Sequence, residues 1–396
     1  MSKDANTSND HASAQESQVH EFANYSLSAT MIFTPVEYKK GDATREPCDL
    51  VWVARDMLFL IAMQESKKSQ EKQDSHNLIQ LRGWLRAWST LGLRLEGETT
   101  LRSYSIGPTE YQTVLISVTD TLEGRASILP LPGAPKNAAE EKVILACSIP
   151  AAALSHLATA GGGAADLAAL IDQLAKAPEP VSAHVFIQWI DDLRNSAYHR
   201  ILVKYRIPEA LSRKFLDTYP HHVLLSLRHS GWAKDEIVKD KANYGVLSAF
   251  NDINWYQTYE ICWHLACFAG AIIEVPVGQL GPGGMGQILK MGNYTVYIGV
   301  YDAAADGAME KVMEGYEKAI EQQKDGFPVL LLTMMIMGRA SAEPLRSLMF
   351  GGERITGPSN TRQMLERAAA RLRPSSTGST GASDTSSAAR RGQERA

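Results

Sequence analysis

Two apolar segments joined by a short turn constrain the fold of this chain more than any other feature. Residues 50–54 and 57–63 are apolar throughout, and Arg55-Asp56 lies between them. The first segment is preceded by Asp49, and the second runs on into Glu65-Ser-Lys67. Short β-prone runs separated by a turn signal indicate a β-hairpin. The sequence therefore predicts a hairpin with an acid at its start and a Glu-x-Lys triplet at its end.

The register of this hairpin decides which side chains share a face of the sheet with Asp49. Successive strand residues point to opposite faces, so Glu65 and Lys67 share one face. A two-residue turn puts Asp49 on the face of Ala62 and Gln64. A three-residue turn or one bulge places Asp49 instead on the face of Glu65 and Lys67. The sequence leaves both registers open.

Composition places the chain among globular proteins and limits its partners. The chain has 396 residues, enough for two domains, with 44% hydrophobic and 21% charged residues. The net charge of −4 argues against a surface coated with basic residues, so any nucleic-acid contact requires a local basic patch. The longest apolar run, residues 329–337, is about half the length of a membrane helix and predicts a buried strand. No membrane partner is expected.

Cysteine usage and the N-terminus predict the cellular setting. The four cysteines are scattered through the chain, and their spacing implies no disulfide framework. Residues 1–18 are polar and lack the apolar core of a signal peptide. A reducing, cytoplasmic location is therefore predicted.

Changes in composition divide the chain into five segments. Residues 1–18 and 373–396 are rich in small polar residues and are expected to be disordered tails. Residues 19–150 read as a first domain of helix, strands and helix, and residues 151–180 as an Ala/Gly-rich helical linker. Residues 181–372 alternate between strand and helix patterns. They predict a second α/β domain for recognition or assembly, through a protein partner or a second copy of the chain.

Three local predictions are made within the second domain. Residues 294–337 contain a strand, an amphipathic helix and a second apolar strand, which predicts a βαβ unit with a parallel strand pair. Residues 184–189 are rich in β-prone residues and are predicted as a strand. Cys262, His264 and Cys267 lie together, but Cys262 and His264 face different sides of a predicted helix, so core residues are favoured over a metal site.

The acids and the lysine of the hairpin are the residue types that metal-dependent phosphodiester hydrolysis requires. Two carboxylates, Asp49 and Glu65, can bind Mg²⁺ or Mn²⁺ through oxygen. A lysine such as Lys67 can orient the attacking water or offset charge in the transition state. This combination of residues makes the three side chains candidates for catalysis.

The order of these residues resembles the PD-(D/E)XK phosphodiesterase superfamily, over about residues 19–95. The matching features are an acid on an early predicted helix, Asp49 at the start of a strand, Glu65-x-Lys67 at the end of the next, and a basic helix after them. The resemblance implies a restriction-endonuclease-like mixed sheet flanked by helices, nuclease activity with DNA as the favoured substrate, and a role in bacterial defence against foreign DNA. The resemblance also implies that Glu21, Asp49 and Glu65 are metal ligands and that Lys67 is the catalytic lysine. For Gln80 it implies a contact with the substrate or with the shell around the metal.

The chain departs from the superfamily pattern next to Asp49. In many members the acid and lysine of the second strand lie more nearly opposite the first Asp, and here those positions are Ile61 and Met63. This departure keeps a second hypothesis open. In it, a nuclease-like or unrelated α/β fold has no catalytic site and serves as an interaction module.

Residues 66–88 are predicted to become an amphipathic helix, because Leu78, Leu81, Leu85 and Trp88 recur at helical spacing. A basic strip on this segment follows the hairpin and is interleaved with Trp84 and Trp88. On a nuclease such a strip would contact the phosphate backbone, and binding would weaken steeply with salt. The alternative is a solvated helix face, and the sequence does not choose between the two. The candidate nucleic-acid contacts are Lys68, Lys72, Gln80, Arg82 and Arg86.

Overall fold

A computed structural model describes most of the chain between its two ends. The residues that it describes are 32–35, 38–40, 42–45, 48–63, 69–92, 95–97, 107–119, 124–208, 248–249, 252–273, 283–323, 328–336, 345–353 and 357–372. The predicted tails and four candidate residues, Glu21, Glu65, Lys67 and Lys68, lie outside the described residues.

The described elements alternate between strands and helices along the chain. The strands are β1 (Ile32–Pro35), β2 (Tyr38–Lys40), β3 (Ala43–Arg45), β4 (Leu50–Ala54), β5 (Met57–Met63), β6 (Leu95–Gly97), β7 (Gln112–Thr119), β8 (Arg125–Leu129), β9 (Val143–Pro150), β10 (Val181–Ser182), β11 (Gly284–Met291), β12 (Tyr294–Asp302), β13 (Val329–Ile336) and β14 (Leu345–Glu353). The helices are α1 (Gln70–Leu91), α2 (Ala138–Glu141), α3 (Ala151–Thr159), α4 (Ala164–Leu174), α5 (Ala183–Tyr205), α6 (Trp255–Ile273), α7 (Ala308–Gln322) and α8 (Asn360–Leu372).

The first sheet is mixed and has the strand order β10-β8-β9-β7-β5-β4-β1-β6. Strands β1, β4 and β5 form an antiparallel meander, and β5, β7 and β9 run parallel to one another. Parallel strands are covered on both faces, and the near-continuous apolar runs of β5 and β7 are buried accordingly. The predicted mixed sheet flanked by helices is thus confirmed.

Helix α1 crosses from β5 to β7 and packs on both strands. It follows Ser69 and ends at Gly92, whose φ of 61° lies in the left-handed region that favours glycine. Its buried face carries Leu78, Leu81, Trp84, Leu85 and Trp88, which confirms the periodicity seen in the sequence. The rings of Trp84 and Trp88 stack with centroids 4.5 Å apart.

The second sheet has the strand order β11-β12-β13-β14. Strands β12 and β13 are parallel and are joined through α7, which confirms the predicted βαβ unit. Helix α6 contributes to one core of this sheet, and α7 contributes to another. Within the described residues the protein is therefore of the mixed α/β class, with two large sheets, their flanking helices and a two-stranded sheet of β2 and β3.

The predicted strand at residues 184–189 is wrong, because these residues belong to α5. The Ser182 hydroxyl accepts a hydrogen bond from the Val185 N–H and caps the helix. Phe186, Ile190 and Ile201 are buried at helical spacing. Packing of this face against α3 and α6 outweighs the local β preference.

Three helices that follow residue 180 contribute to the core of the first sheet, and one of them is α6, through Trp255 and Tyr259. Helix α5 contributes Phe186 and Ile190 to that core, and α8 contributes Leu365 and Ala368. Helix α8 also packs along α4. The predicted domain limits stay a prediction. Within the ranges that the structure describes, no helix is long and apolar enough to cross a membrane.

Candidate functional site

The hairpin formed by β4 and β5 has a two-residue turn. Ala54 pairs with Met57 and Leu50 pairs with Ile61, so one more step of the register brings Asp49 opposite Ala62. Of the two registers that the sequence leaves open, the structure therefore has the one with the two-residue turn, and Ala62 lies between Ile61 and Met63 at the position opposite Asp49. Since directly opposed residues share a face, Asp49 and Ala62 point to the same side of the sheet.

Asp49 is tied to the end of β5 by its backbone and by its side chain. Its N–H donates to the Ile61 carbonyl at 3.1 Å, and its carboxylate accepts a hydrogen bond from the Met63 N–H at 2.5 Å. The side chain is half-buried. The carboxylate is thus held beside the last residue of β5, where the chain continues toward Glu65 and Lys67.

A row of small side chains, which begins at Ala62 and continues with three serines, extends from this point across β7, β9 and β8. Ala62 pairs with Ser117, Ser117 with Ser148, and Ser148 with Ser127 of β8. The row lies near the carboxyl ends of β5, β7 and β9. Open α/β sheets bind ligands at this edge, so the row marks the side of the sheet where a site is expected.

The first half of α1 places three polar side chains over this row. The Asn77 side-chain amide donates to Ser117 Oγ at 2.9 Å and to the Ala62 carbonyl at 3.3 Å. The Ser148 hydroxyl donates to Asp74 Oδ1 at 2.8 Å. The Gln70 amide donates to Ser148 Oγ at 3.1 Å. A polar cluster therefore joins the start of α1 to the ends of β7 and β9.

Gln70 also fixes the start of α1 against the start of β8. Its amide donates to the Arg125 carbonyl at 2.6 Å, and its side-chain oxygen accepts from the Arg125 N–H at 2.9 Å. This two-point contact reproduces the pairing that a neighbouring strand would make. The position of the helix relative to β8 is thus set by one side chain.

Asp74 is the buried acid of this cluster, with 6% of its surface exposed. Burial raises the pKa of its carboxyl, and hydrogen bonds from Ser117, Ser148 and Gln70 oppose part of that rise. A buried acid at the carboxyl ends of parallel strands is a recurring property of ligand-binding sites.

Comparisons with known proteins gave no relative: no family model, no curated protein and no solved structure matches this chain.

Sequence reasoning identified Asp49 but missed the cluster on α1. Gln70, Asp74 and Asn77 are spaced so that they fall on one helix face. This polar stripe is the feature of the sequence from which the cluster could have been predicted. It lies beside an apolar face that contacts the sheet, and a buried polar stripe is unusual enough to mark a site.

The basic strip on α1 is smaller than the sequence predicts. Arg82 is only 8% exposed and donates to Glu140 Oε2 at 2.7 Å and to the Ala134 carbonyl at 2.9 Å. Arg86 also pairs with Glu140. Both arginines therefore hold α2 against α1. Because the Arg82 side chain is buried in this pairing, it does not lie on a surface that could contact nucleic acid. On the same helix Lys72 is exposed and Gln80 is half-buried.

Replacement of Glu140 by Gln is expected to lower the free energy of unfolding at pH 7 by about 1–2 kcal/mol, since the hydrogen bonds to two arginines lose their charge. Burial alone would raise the pKa of Glu140, but hydrogen bonds from Arg82, the Lys136 N–H and Arg86 lower it below 4.5. The native carboxyl therefore binds its proton less tightly than the unfolded one. Its stabilising effect is full above about pH 4.5 and is lost as the pH falls.

Urea denaturation of Glu140→Gln from pH 3 to pH 7 measures this loss. The control is Glu141→Gln, which replaces the neighbouring, exposed glutamate. The difference in the free energy of unfolding between Glu140→Gln and the unmodified protein should become smaller in acid. The corresponding difference for Glu141→Gln should not. An unchanged difference at pH 3 contradicts the assignment.

A second titratable cluster joins α5 to α6. The Tyr205 hydroxyl donates to Glu260 Oε1 at 2.5 Å and lies 2.9 Å from His264 Nε2, and Lys204 pairs with the same carboxylate. Burial lowers the pKa of His264. These contacts link two helices that are far apart in the sequence.

The prediction of core cysteines on α6 is right for Cys262, which is buried, and wrong for Cys267, which is exposed. Among the residues that the structure describes, no group of three His, Cys, Asp or Glu side chains lies close enough to hold a metal ion.

Proposed function

We propose that this protein is a metal-dependent nuclease whose active site lies where β4 begins and β5 ends. The observation that carries the proposal is the hydrogen bond from the Met63 N–H to Asp49. Glu65 follows Met63 by two residues, so their Cα atoms are at most about 7 Å apart. Asp49 is thereby held near the point where the chain continues into the Glu-x-Lys triplet that the superfamily resemblance indicates. Because the two-residue turn puts Asp49 on the face of Ala62, the proposal requires a bulge or bend after Met63 that brings Glu65 and Lys67 to the same face.

The donor set fits a hard divalent cation. Asp49 and Glu65, with Glu21 as a further acid, would hold Mg²⁺ or Mn²⁺ through carboxylate oxygens, which these ions prefer. Such an ion, when bound, polarises the phosphodiester and lowers the pKa of a bound water. Lys67 positions the attacking water and offsets charge on the phosphate.

The topology supports the same edge of the sheet. The antiparallel meander of β1, β4 and β5 is followed by α1 and then by β7, which runs parallel to β5. This order brings the end of β5 and the start of α1 to one edge. The exposed Lys72 on α1, together with Lys68, would contact the backbone of a bound strand, with DNA as the favoured substrate.

The biological setting is part of the proposal. The four cysteines are free thiols, which suits a reducing cytoplasm. Cleavage of foreign DNA in bacterial defence is the role that the superfamily resemblance suggests. Residues 181–372 would recognise a partner or assemble with a second copy of the chain.

Lys67→Ala is expected to reduce metal-dependent DNA cleavage by at least about 100-fold, because the lysine acts on charge that develops in the transition state. Supercoiled plasmid and single-stranded DNA are incubated at low salt with Mg²⁺, Mn²⁺ or EDTA. The matched control is Lys318→Ala, which removes an exposed lysine from α7 of the second sheet. Cleavage that survives in Lys67→Ala, or that persists in EDTA, rejects the proposal.

The second candidate function, an interaction module without catalysis, is favoured by one observation. The residue opposite Asp49 is Ala62, which cannot ligate a metal. This candidate predicts that Mg²⁺ and Mn²⁺ leave the melting temperature unchanged. The nuclease proposal predicts a rise that disappears in Asp49→Asn, since an ion that binds only the folded protein stabilises it. Calorimetric melting with and without each ion separates the two candidates.

A further inference from the structure

A cavity of about 460 Å³ lies between the first turns of α1 and strand β8. It exists because α1 packs on β5 and β7, whereas β8 lies two strands further across the sheet. The residues after β8 then close the far side. The walls combine apolar side chains, among them Leu78 and Leu129, with the polar side chains of Glu71, Asp74, Arg125 and Ser127.

The polar end of the cavity is built around Asp74. Asp74 lies in the cavity wall, and 6% of its surface is exposed. Glu71, which lies one helical turn before Ser75, also lines the cavity and is exposed. The Ser148 hydroxyl donates to the Asp74 carboxylate, and an ionised carboxylate offers about four acceptor positions. One end of the cavity therefore carries two acids, and the remainder is formed mainly by leucine and proline side chains, with Ser127 and the exposed Arg125 beside them.

We propose that this cavity binds a small molecule that has an apolar body and a hydrogen-bond-donating nitrogen, such as a primary amine or an amidine. The nitrogen donates to Asp74, and the apolar body packs against Leu78 and Leu129. The volume lies in the range of small-molecule sites, which combine apolar walls with a few convergent polar groups. The proposal does not depend on phosphodiester hydrolysis.

The chemistry of the acidic end selects a donor over an acceptor. An ionised carboxylate only accepts hydrogen bonds, so a ligand that presents a carboxylate there would repel Asp74 and Glu71. A cation beside Asp74 would instead offset the burial that raises the pKa of this carboxyl. Arg125 is exposed at the rim, and its backbone is held by Gln70, so that the cavity mouth is fixed in place.

Benzylamine and benzoate are the probes, since they have similar size and opposite charge. Titrations at pH 7 followed by nuclear magnetic resonance should show saturable binding of benzylamine to the full chain and at least about tenfold weaker binding of benzoate. Asp74→Asn removes the charge with little change in shape and should weaken benzylamine binding at least about tenfold. Ser127→Leu fills the cavity from the sheet and should abolish it. Asp192→Asn, an exposed acid on α5, should leave it unchanged.

Three outcomes overturn the proposal. The first is that benzylamine does not bind saturably, and the second is that benzoate binds as well as benzylamine. The third is that benzylamine binding is unaffected by Ser127→Leu, which places it elsewhere on the protein. If Asp74→Asn fails to fold, as judged by circular dichroism, Ser127→Leu decides the question. Lys67→Ala should retain benzylamine binding, so that failure of the nuclease proposal and failure of this one are distinguishable.

Discussion

Asp252→Ala is expected to lower the free energy of unfolding by about 3–5 kcal/mol, as measured by urea denaturation, because a buried acceptor of three hydrogen bonds is removed. Asp252 is fully buried. Its carboxylate accepts hydrogen bonds from the Tyr294 hydroxyl at 2.5 Å and from the N–H groups of Asn360 and Thr361 at 2.7 Å each. One side chain therefore joins β12 of the second sheet to the start of α8.

The expected loss of stability is large because each group that donates a hydrogen bond to Asp252 needs this acceptor. The first N–H groups of a helix have no partner within the helix and need an external acceptor. The Tyr294 hydroxyl also accepts from Arg55 Nη1 at 2.7 Å, so the cation on the β4–β5 turn belongs to the same network. Loss of the carboxylate leaves donors buried without an acceptor, at about 1–3 kcal/mol each. It also loosens α8, which carries Leu365 into the core of the first sheet.

Two further variants test the cause of this loss. Asp252→Asn retains the shape and one acceptor oxygen and should cost less than Asp252→Ala. Asp306→Ala removes an exposed acid near the start of α7 and should change stability by less than about 0.5 kcal/mol. Hydrogen exchange should show faster opening of the first turn of α8 in Asp252→Ala. A loss below about 1 kcal/mol in that variant contradicts the proposed role.

The elements that the sequence predicts correctly depend on patterns within a short stretch of chain. The β4–β5 hairpin, the apolar face of α1 and the βαβ unit of the second sheet each follow from periodicity over fewer than about 45 residues. Helix α5 was missed because its β-prone residues are outweighed by packing against α3 and α6, which lie elsewhere in the sequence.

Contacts between distant segments have no local signature. The Ser359 N–H donates to Asp56, and Arg362 pairs with the same carboxylate, so the hairpin turn and α8 meet although about 300 residues separate them. The same reasoning applies to the candidate site. The sequence shows that Asp49 precedes a strand, but the register that places Ala62 opposite it follows from the turn that the chain adopts. The cavity beside Asp74 likewise forms because α1 packs on β5 and β7, whereas β8 lies two strands further across the sheet. The sequence does not show this arrangement.

Asp166 gives the second large effect, which takes the form of a pH dependence. It is 3% exposed, and its carboxylate accepts hydrogen bonds from the N–H groups of Gly163 and Trp255, each at 3.0 Å. It thereby joins the start of α4 to the start of α6. Burial raises the pKa of this carboxyl from 3.8 to about 7, against the opposing effect of the two backbone hydrogen bonds.

The native carboxyl of Asp166 therefore binds its proton more tightly than the unfolded one. Its contribution to stability is full below about pH 3.8 and is lost as the pH rises toward 7. A shift of this size corresponds to at most roughly 4 kcal/mol over that interval. Asp166→Asn does not titrate. The stability of the unmodified protein relative to Asp166→Asn should therefore be highest near pH 4 and should fall steadily up to about pH 7.5.

Urea denaturation of both proteins between pH 4 and pH 8 measures this relative stability directly, because all other titrating groups are shared and cancel in the difference. The control is Asp192→Asn, whose relative stability should stay constant across the same range. A relative stability of Asp166→Asn that is independent of pH, or that changes in the opposite sense, would mean that the buried carboxylate is already ionised near pH 4. The two backbone N–H groups would then stabilise the anion more than burial disfavours it.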